Sequence, residues 1–148
     1  MIAWKYLNKK SAAADALRDY AGMEYIIANH EDMEVNIREN MTAIRASIPT
    51  GMPHSPNPGA GELRLAGRLD EIDVLKERYR QALEYIGWFK PAWEELSEDD
   101  RFVLNEFYNR EGADTIGNIC DRYHIERSSA YNKKNRALAR LALLLYGR

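Results

Sequence analysis

The sequence predicts an all-α fold, in which a long antiparallel helical hairpin precedes a C-terminal helix-turn-helix domain. Two long segments carry apolar residues at steps of three or four, which is the period of one helix face rather than of a strand. The stretch between them, residues 47–62, contains four prolines and three glycines, and no helix survives that composition. The last third of the chain holds three shorter helical segments that are separated by turn signals.

The two long segments are predicted to form the hairpin. The first helix covers residues 11–46 and begins at Ser11, whose hydroxyl suits an N-cap. The second covers residues 62–90, and Pro91 marks its end or a kink. Two long amphipathic helices joined by one loop pair side by side in opposite directions. Residues 1–93 then form one domain, which serves dimerisation or partner binding. The apolar surface on its third side is expected to be covered by the C-terminal part or by another subunit.

Residues 94–148 are predicted to form the second domain. Its three helices cover residues 96–109, 115–123 and 127–147. Ser97 suits the N-cap of the first of these helices, and Gly147 stops the last. Only the tripeptide HIE separates the last two helices, and a short helix, a tight turn and a longer basic helix make the helix-turn-helix plan. The expected core residues are Leu104, Phe107, Ile116, Ile119, Cys120, Tyr123, Ile125, Ala130, Leu138 and Leu141.

Charge is segregated within this second domain. The whole chain has a formal net charge of −2, with 30% charged and 45% hydrophobic residues, so it is a folded protein and no polycation. Residues 94–114 hold eight acidic residues against two basic ones, whereas residues 115–148 hold seven basic residues against two acidic ones. The positive part coincides with the last helix, which is the pattern expected for contacts with DNA phosphates.

Polar side chains in the first half of the last helix are the predicted DNA contacts. Arg bonds guanine and Asn bonds adenine through paired hydrogen bonds, so Arg127 and Asn132 are the primary candidates for base recognition. Long cationic side chains farther along the helix suit the phosphate backbone better. The backbone candidates are Ser129, Lys133, Lys134 and Arg136.

Residues 96–141 resemble region 4, the promoter-reading region, of bacterial RNA polymerase sigma factors. The matching positions are Leu96, Arg101, Val103, Leu104, Ile125, Arg127, Ala130, Arg136, Ala137, Leu138, Arg140 and Leu141. The resemblance implies that the last helix reads an upstream promoter element. It places Arg127, Ser128, Tyr131 and Asn132 toward the bases, and Lys134 and Arg136 near the backbone. His124 departs from the family, which usually has a turn Gly there, and the REGAD turn at residues 110–114 looks longer than usual.

The first 90 residues do not resemble the promoter-melting region of a sigma factor, so we do not expect a complete sigma factor. The whole architecture resembles the small phage and prophage transcription regulators of the sigma-like and ArpU-related type, which control late genes. This resemblance implies a regulator that binds double-stranded DNA. Its N-terminal hairpin would serve as a homodimer interface or as a surface for RNA polymerase.

Other interpretations fit the same residues. Taken alone, a basic helix face is usually the solvated side of a core helix. The chain is then a helical interaction or adaptor protein whose basic tail meets an acidic partner. A phage DNA-packaging subunit, similar to a small terminase, is a third interpretation, because such a subunit also pairs a helix-turn-helix with long helices.

No pattern indicates an enzyme, a metal site or a cofactor. His30, His54 and His124 have no ligand spacing with one another or with Cys120. A single cysteine suits a reducing compartment, and no apolar run approaches the ~20 residues that span a bilayer. We therefore expect a soluble, cytoplasmic protein that has no membrane partner.

Overall fold

The computed structural model describes residues 7–47, 59–110 and 114–147. Within these ranges the chain forms five α-helices and no strand, which confirms the all-α prediction. The helices are α1 (Lys9–Ser47), α2 (Ala60–Glu95), α3 (Glu98–Tyr108), α4 (Thr115–Tyr123) and α5 (Arg127–Tyr146). Most of the predicted 47–62 loop and of the REGAD turn lies outside the described residues. No helix of the described ranges is both long enough and apolar enough to cross a membrane.

Helix α1 begins at Lys9, two residues before the predicted start. Asn8 caps it, because its side-chain Oδ1 accepts a hydrogen bond from the backbone N–H of Ser11 at 3.2 Å. Asn and Ser are equally good N-caps. Ser11 itself lies in the first turn of the helix.

Helix α2 continues through Pro91 to Glu95, where the sequence predicted an end or a kink. A proline inside a helix costs about 3 kcal/mol, since its ring crowds the carbonyl four residues earlier and one hydrogen bond is lost. The neighbours Phe89 and Trp93 are both buried, and each large apolar side chain contributes about 1.5–3 kcal/mol when buried. The burial of these side chains offsets the cost of the proline and keeps the segment helical.

Packing divides the chain into two compact units. The middle unit is Glu24–Leu83, and the C-terminal unit combines Met1–Met23 with Glu84–Arg148. The predicted domain border, between residues 93 and 94, lies inside α2, which ends at Glu95. Compact packing does not by itself assign function, so the division into domains 1–93 and 94–148 stays a prediction.

Within the middle unit, α1 and α2 contact each other through side chains. The ring of His30 stacks on Tyr79 with 4.2 Å between centroids, and Asn40 accepts a hydrogen bond from Arg68 Nε at 2.8 Å. An earlier residue of α1 thus meets a later residue of α2, and a later residue of α1 meets an earlier residue of α2. The buried hydrophobic residues of the described part of this unit are Met41, Ile44, Ile72 and Ala82.

The C-terminal unit contains a larger core, to which α1, α2, α3 and α5 all contribute. Phe89 is fully buried at its centre, and its ring lies 5.1 Å from Tyr20, 5.4 Å from Tyr85 and 6.0 Å from Trp93 between centroids. Both α1 and α5 contribute buried alanines to this core. The buried members are Ala13, Ala14, Ala16, Leu17, Phe89, Ala92, Trp93, Leu96, Leu104, Ala137, Leu138, Leu141, Ala142 and Leu145.

The apolar residues of the last three helices divide between two clusters, where the sequence predicted one. Leu104, Leu138 and Leu141 belong to the large core, whereas Val103 is buried with Ile119 and Ala130 in a second cluster. Successive residues of a helix point about 100° apart, so Val103 and Leu104 face different partners. Helix α3 therefore lies between the two clusters and fixes α4 and α5 against the rest of the unit.

Candidate nucleic-acid interface

The turn between α4 and α5 is three residues long. His124 adopts the left-handed conformation, with φ 53° and ψ 50°. The backbone N–H of Ile125 donates to the Cys120 carbonyl at 3.2 Å, which closes the end of α4. Glu126 is extended, with φ −79° and ψ 164°, and α5 begins at the next residue. The predicted tight connection is present, and His takes the conformation for which Gly is usual.

A capping interaction fixes the start of α4. The side chain of Asp114 accepts a hydrogen bond from the Gly117 N–H at 3.0 Å. Asp114 is therefore the N-cap of α4. A Cβ at residue 117 would come within 2.4 Å of the Asp114 carboxylate, so any side chain there would displace the cap.

The second cluster, which we call the turn cluster, lies beneath this connection. Its buried centre is Val103, Ile119 and Ala130. Partly buried residues pack around it: Phe102, Phe107, Ile116, Cys120, Tyr123 and Ile125. Each of the three helices contributes to it, so the direction of α5 relative to α4 is set by packing as well as by the turn.

Two buried carboxylates join α3 to the helices that follow. Asp100 receives the guanidinium of Arg140 from α5. Glu106 accepts hydrogen bonds from Asn118 of α4 at 3.2 Å and from Arg110 at 2.6 Å. These charge-assisted bonds satisfy both buried carboxylates and add direction to the apolar contacts.

A third polar contact lies at the edge of the turn cluster. The Tyr123 hydroxyl donates to Asp99 Oδ1 at 2.9 Å. Burial raises the pKa of Tyr123, and the hydrogen bond to Asp99 raises the pKa further. The hydroxyl therefore stays protonated at neutral pH and keeps α4 tied to α3.

The four predicted base contacts lie on the first two turns of α5. Arg127, Ser128, Tyr131 and Asn132 are all exposed. Tyr131 is 42% exposed, and its ring lies 5.7 Å from Phe107 between centroids, so one face is supported by the protein. These side chains form one continuous polar surface directly after the turn.

The predicted backbone contacts lie around that surface in two different environments. Arg136 is exposed, and its Nε donates to the Asn132 carbonyl at 3.4 Å. Lys133 and Lys134 are half-buried, with their ammonium groups 4.3 Å from the Tyr123 ring and 5.3 Å from the Phe107 ring. Ser129 is also half-buried. The two lysines thus keep their charges close to the protein surface, where cation–π contacts hold them.

The structure adds two residues that the sequence-based prediction of the site missed. Lys10 and Asn135 line a hollow of about 390 Å³ together with Asn132, Arg136 and Ala139. Lys9 donates from its ammonium to the Gly147 carbonyl at 3.1 Å, which fixes the start of α1 beside the end of α5. The only sequence signal was the basic pair at residues 9 and 10, because pairing of the first and last helices is a long-range contact.

This hollow extends the polar surface of α5. Its lining supplies two cations and two amides, the groups that bind phosphate and sugar oxygens. The adjacent α3 carries Glu98, Asp99 and Asp100 in its first turn, which accounts for part of the charge segregation. Asp100 is neutralised by Arg140.

Metal-ligating residues do not gather in the parts of the chain that the structure describes. No group of three or more His, Cys, Asp or Glu side chains there could hold a metal ion. Cys120 is a free, half-buried thiol that packs against the turn cluster. Its placement is that of a small core residue.

Comparisons with known proteins were made with the whole chain. No protein-family model matches it, and neither the curated proteins nor the solved structures give a match.

Proposed function

We propose that this chain is a sequence-specific transcription regulator that binds double-stranded DNA in the manner of sigma factor region 4. In this proposal α4, the 124–126 turn and α5 act as a helix-turn-helix, and α5 enters the major groove. The observation that carries the proposal is the position of Arg127, Ser128, Tyr131 and Asn132. All four are exposed on the first two turns that follow the turn.

The chemistry of these four side chains suits base recognition. A major groove accepts one α-helix, and its base edges offer paired acceptors on guanine and a donor–acceptor pair on adenine. Arg127 and Asn132 match those two patterns. Ser128 bonds either kind of group, and Tyr131 offers an apolar face together with a hydroxyl. The N-terminal turns of a recognition helix are the part that reaches the bases.

Backbone contacts complete the proposed interface. Arg136 and Lys10 flank the same hollow, and Lys133 and Lys134 lie on the sides of α5. Cations in these positions would hold the helix in the groove by sequence-independent attraction to phosphates.

Several of the residues that carry the sigma resemblance support the fold of this domain. Ala137, Leu138 and Leu141 are buried, and Arg140 binds the buried Asp100. We infer that α1 and α2 form the predicted antiparallel hairpin, which the His30–Tyr79 and Asn40–Arg68 contacts support. An origin in a phage or prophage and a contact with RNA polymerase belong to the same proposal.

Selection from a pool of random-sequence duplexes tests the proposal. The full chain is incubated with the pool at low and at physiological salt, and the bound duplexes are sequenced. We expect a short motif to be enriched and the affinity to fall steeply with salt. Arg127→Ala should relax the preference at one position and cost about 1–3 kcal/mol of binding free energy.

Arg45→Ala is the matched control, because Arg45 is an exposed arginine in the last turn of α1 within the middle unit. It should leave the motif and the affinity unchanged. Salt-sensitive binding without any motif would contradict a regulator and favour a packaging subunit. A chain that binds no duplex at low salt would contradict DNA binding altogether and favour a helical adaptor.

A further inference from the structure

We propose that the middle unit forms a homodimer, in which the groove between α1 and α2 packs against the same groove of a second copy. The two-fold axis passes beside Val74. This inference goes beyond DNA binding and does not depend on it.

The groove is apolar at its centre. It measures about 520 Å³, and Met33, Ile37, Val74 and Leu75 line it. Val74 is 50% exposed, although valine is a residue that proteins usually bury. Gly67, at one end of the groove, presents no side chain, and a Cβ there would meet nothing within 4 Å. A helix of another molecule can therefore approach the floor closely.

The hydrophobic core of the middle unit is too small for the unit to be stable while this groove stays exposed to water. In its described residues four hydrophobic side chains are buried and six large ones are exposed, and two of the six lie on the α2 face that carries Val74. These are Val74 itself and Leu63, which is 76% exposed. Steps of three or four place Leu63, Gly67, Asp70, Val74 and Arg78 on one face. A second pair of helices would cover the two apolar side chains of this face in a four-helix bundle.

The charges in the groove identify the occupant as a second copy. Asp70 and Arg78 lie four residues before and four residues after Val74, and both line the groove. An antiparallel α2 helix of a second copy, crossing at Val74, places its Arg78 against Asp70 and its Asp70 against Arg78. Neither side chain has a hydrogen bond or an ion pair with another residue of the described ranges. A surface that pairs its own opposite charges about a two-fold axis is the signature of an isologous contact.

The face is large enough for a stable dimer. Each helix contributes 24 residues of the middle unit, which is ~36 Å at 1.5 Å per residue, and two helices side by side are ~20 Å wide. The product is on the order of 700 Å² per copy, close to the ~800 Å² per partner of a standard interface.

Charge reversal combined with a measurement of mass in solution tests the dimer. Light scattering after gel filtration should give the mass of two chains at micromolar concentration. Asp70→Arg alone and Arg78→Asp alone each bring like charges together, so each should weaken the dimer on the order of tenfold or more. An equimolar mixture of the two single variants should restore the dimer, because each introduced arginine then faces an introduced aspartate. The double variant Asp70→Arg/Arg78→Asp should restore it as well.

Asp73→Arg is the matched control, since Asp73 is an exposed acid on the same helix that does not line the groove, and it should leave the mass unchanged. Recovery in the mixture also shows that both single variants are folded. A wild-type chain that stays monomeric overturns the proposal. So does a dimer that neither single reversal weakens, or one that the mixture fails to recover.

Discussion

At the scale of single residues, His124 sets the geometry on which the proposed interface depends. Left-handed backbone costs an L-residue about 1–2 kcal/mol, and only Gly adopts it freely. His124 adopts it with φ 53°, and it is the only described non-Gly residue with positive φ. The sequence predicted a turn here from the short HIE spacing and from a family that places Gly at this point. It could not predict whether a histidine would change the turn, because that depends on the packing below it.

Replacement of this histidine by glycine should stabilise the protein. His124→Gly removes the left-handed strain, while it makes the unfolded chain more flexible, so we expect the free energy of unfolding to rise by about 0.5–1 kcal/mol. Urea unfolding followed by circular dichroism measures the change. Asp121→Gly is the control, because Asp121 is an exposed residue inside α4, where glycine should destabilise the helix. A loss of stability in His124→Gly would show that the side chain contributes to the turn.

At the scale of helices, α3 is the element to which the two following helices are fixed. Asp100 and Glu106 are 9% and 5% exposed, and each binds a side chain of the helix that it orients. The sequence predicted the Ser97 cap of α3, and the Ser97 hydroxyl accepts the Asp100 N–H at 3.2 Å. The sequence did not reveal that Asp100 also binds Arg140, since forty residues separate the two.

Removal of Asp100 and removal of Arg140 should lower the free energy of unfolding by different amounts. Arg140→Ala leaves a buried carboxylate without a partner, whereas Asp100→Ala leaves an arginine side chain that is 54% exposed and hydrated. We expect Arg140→Ala to cost about 1–3 kcal/mol of unfolding free energy and Asp100→Ala clearly less. Thermal unfolding of both variants and of the double variant measures this difference. Equal losses of unfolding free energy would mean that the attraction within the ion pair outweighs the desolvation of the Asp100 carboxylate.

The helices themselves were largely predictable, and their contacts were not. The limits of α4 were predicted exactly at residues 115 and 123, because cap, apolar period and turn signals agree there. An end of α2 at Pro91 was wrong, since the helix continues to Glu95 and the neighbouring Phe89 and Trp93 are buried. The division of the apolar residues between two clusters depends on which side of α3 each residue faces. Periodicity alone does not assign those sides to particular partners.

At the scale of the whole chain, residues from opposite ends contribute to the C-terminal unit. The start of α1 contacts the end of α5 through Lys9 and Gly147, and Lys10 joins the hollow on α5. All eight site residues proposed from the sequence lie on one helix, so helical spacing was enough to group them. Lys10 belongs to another helix, and only the tertiary fold brings it there.

Removal of the Lys10 cation tests whether this long-range contact serves DNA binding. Lys10→Ala should weaken the affinity for all duplexes alike and lower the salt slope by about one. The sequence preference should not change, because the side chain would contact phosphate only. Lys76→Ala is the control, since Lys76 is an exposed lysine of the middle unit. Fluorescence anisotropy titrations at several salt concentrations provide the slope, and an unchanged slope in Lys10→Ala would exclude the contact.

The two compact units also differ in tryptophan content, so fluorescence can distinguish them. Trp88 and Trp93 belong to the C-terminal unit, and the middle unit contains no tryptophan. Indole fluorescence therefore does not come from the middle unit, whereas far-ultraviolet circular dichroism reports the helices of both units. A comparison of the two signals during one titration shows whether the units lose their structure cooperatively, with no added label.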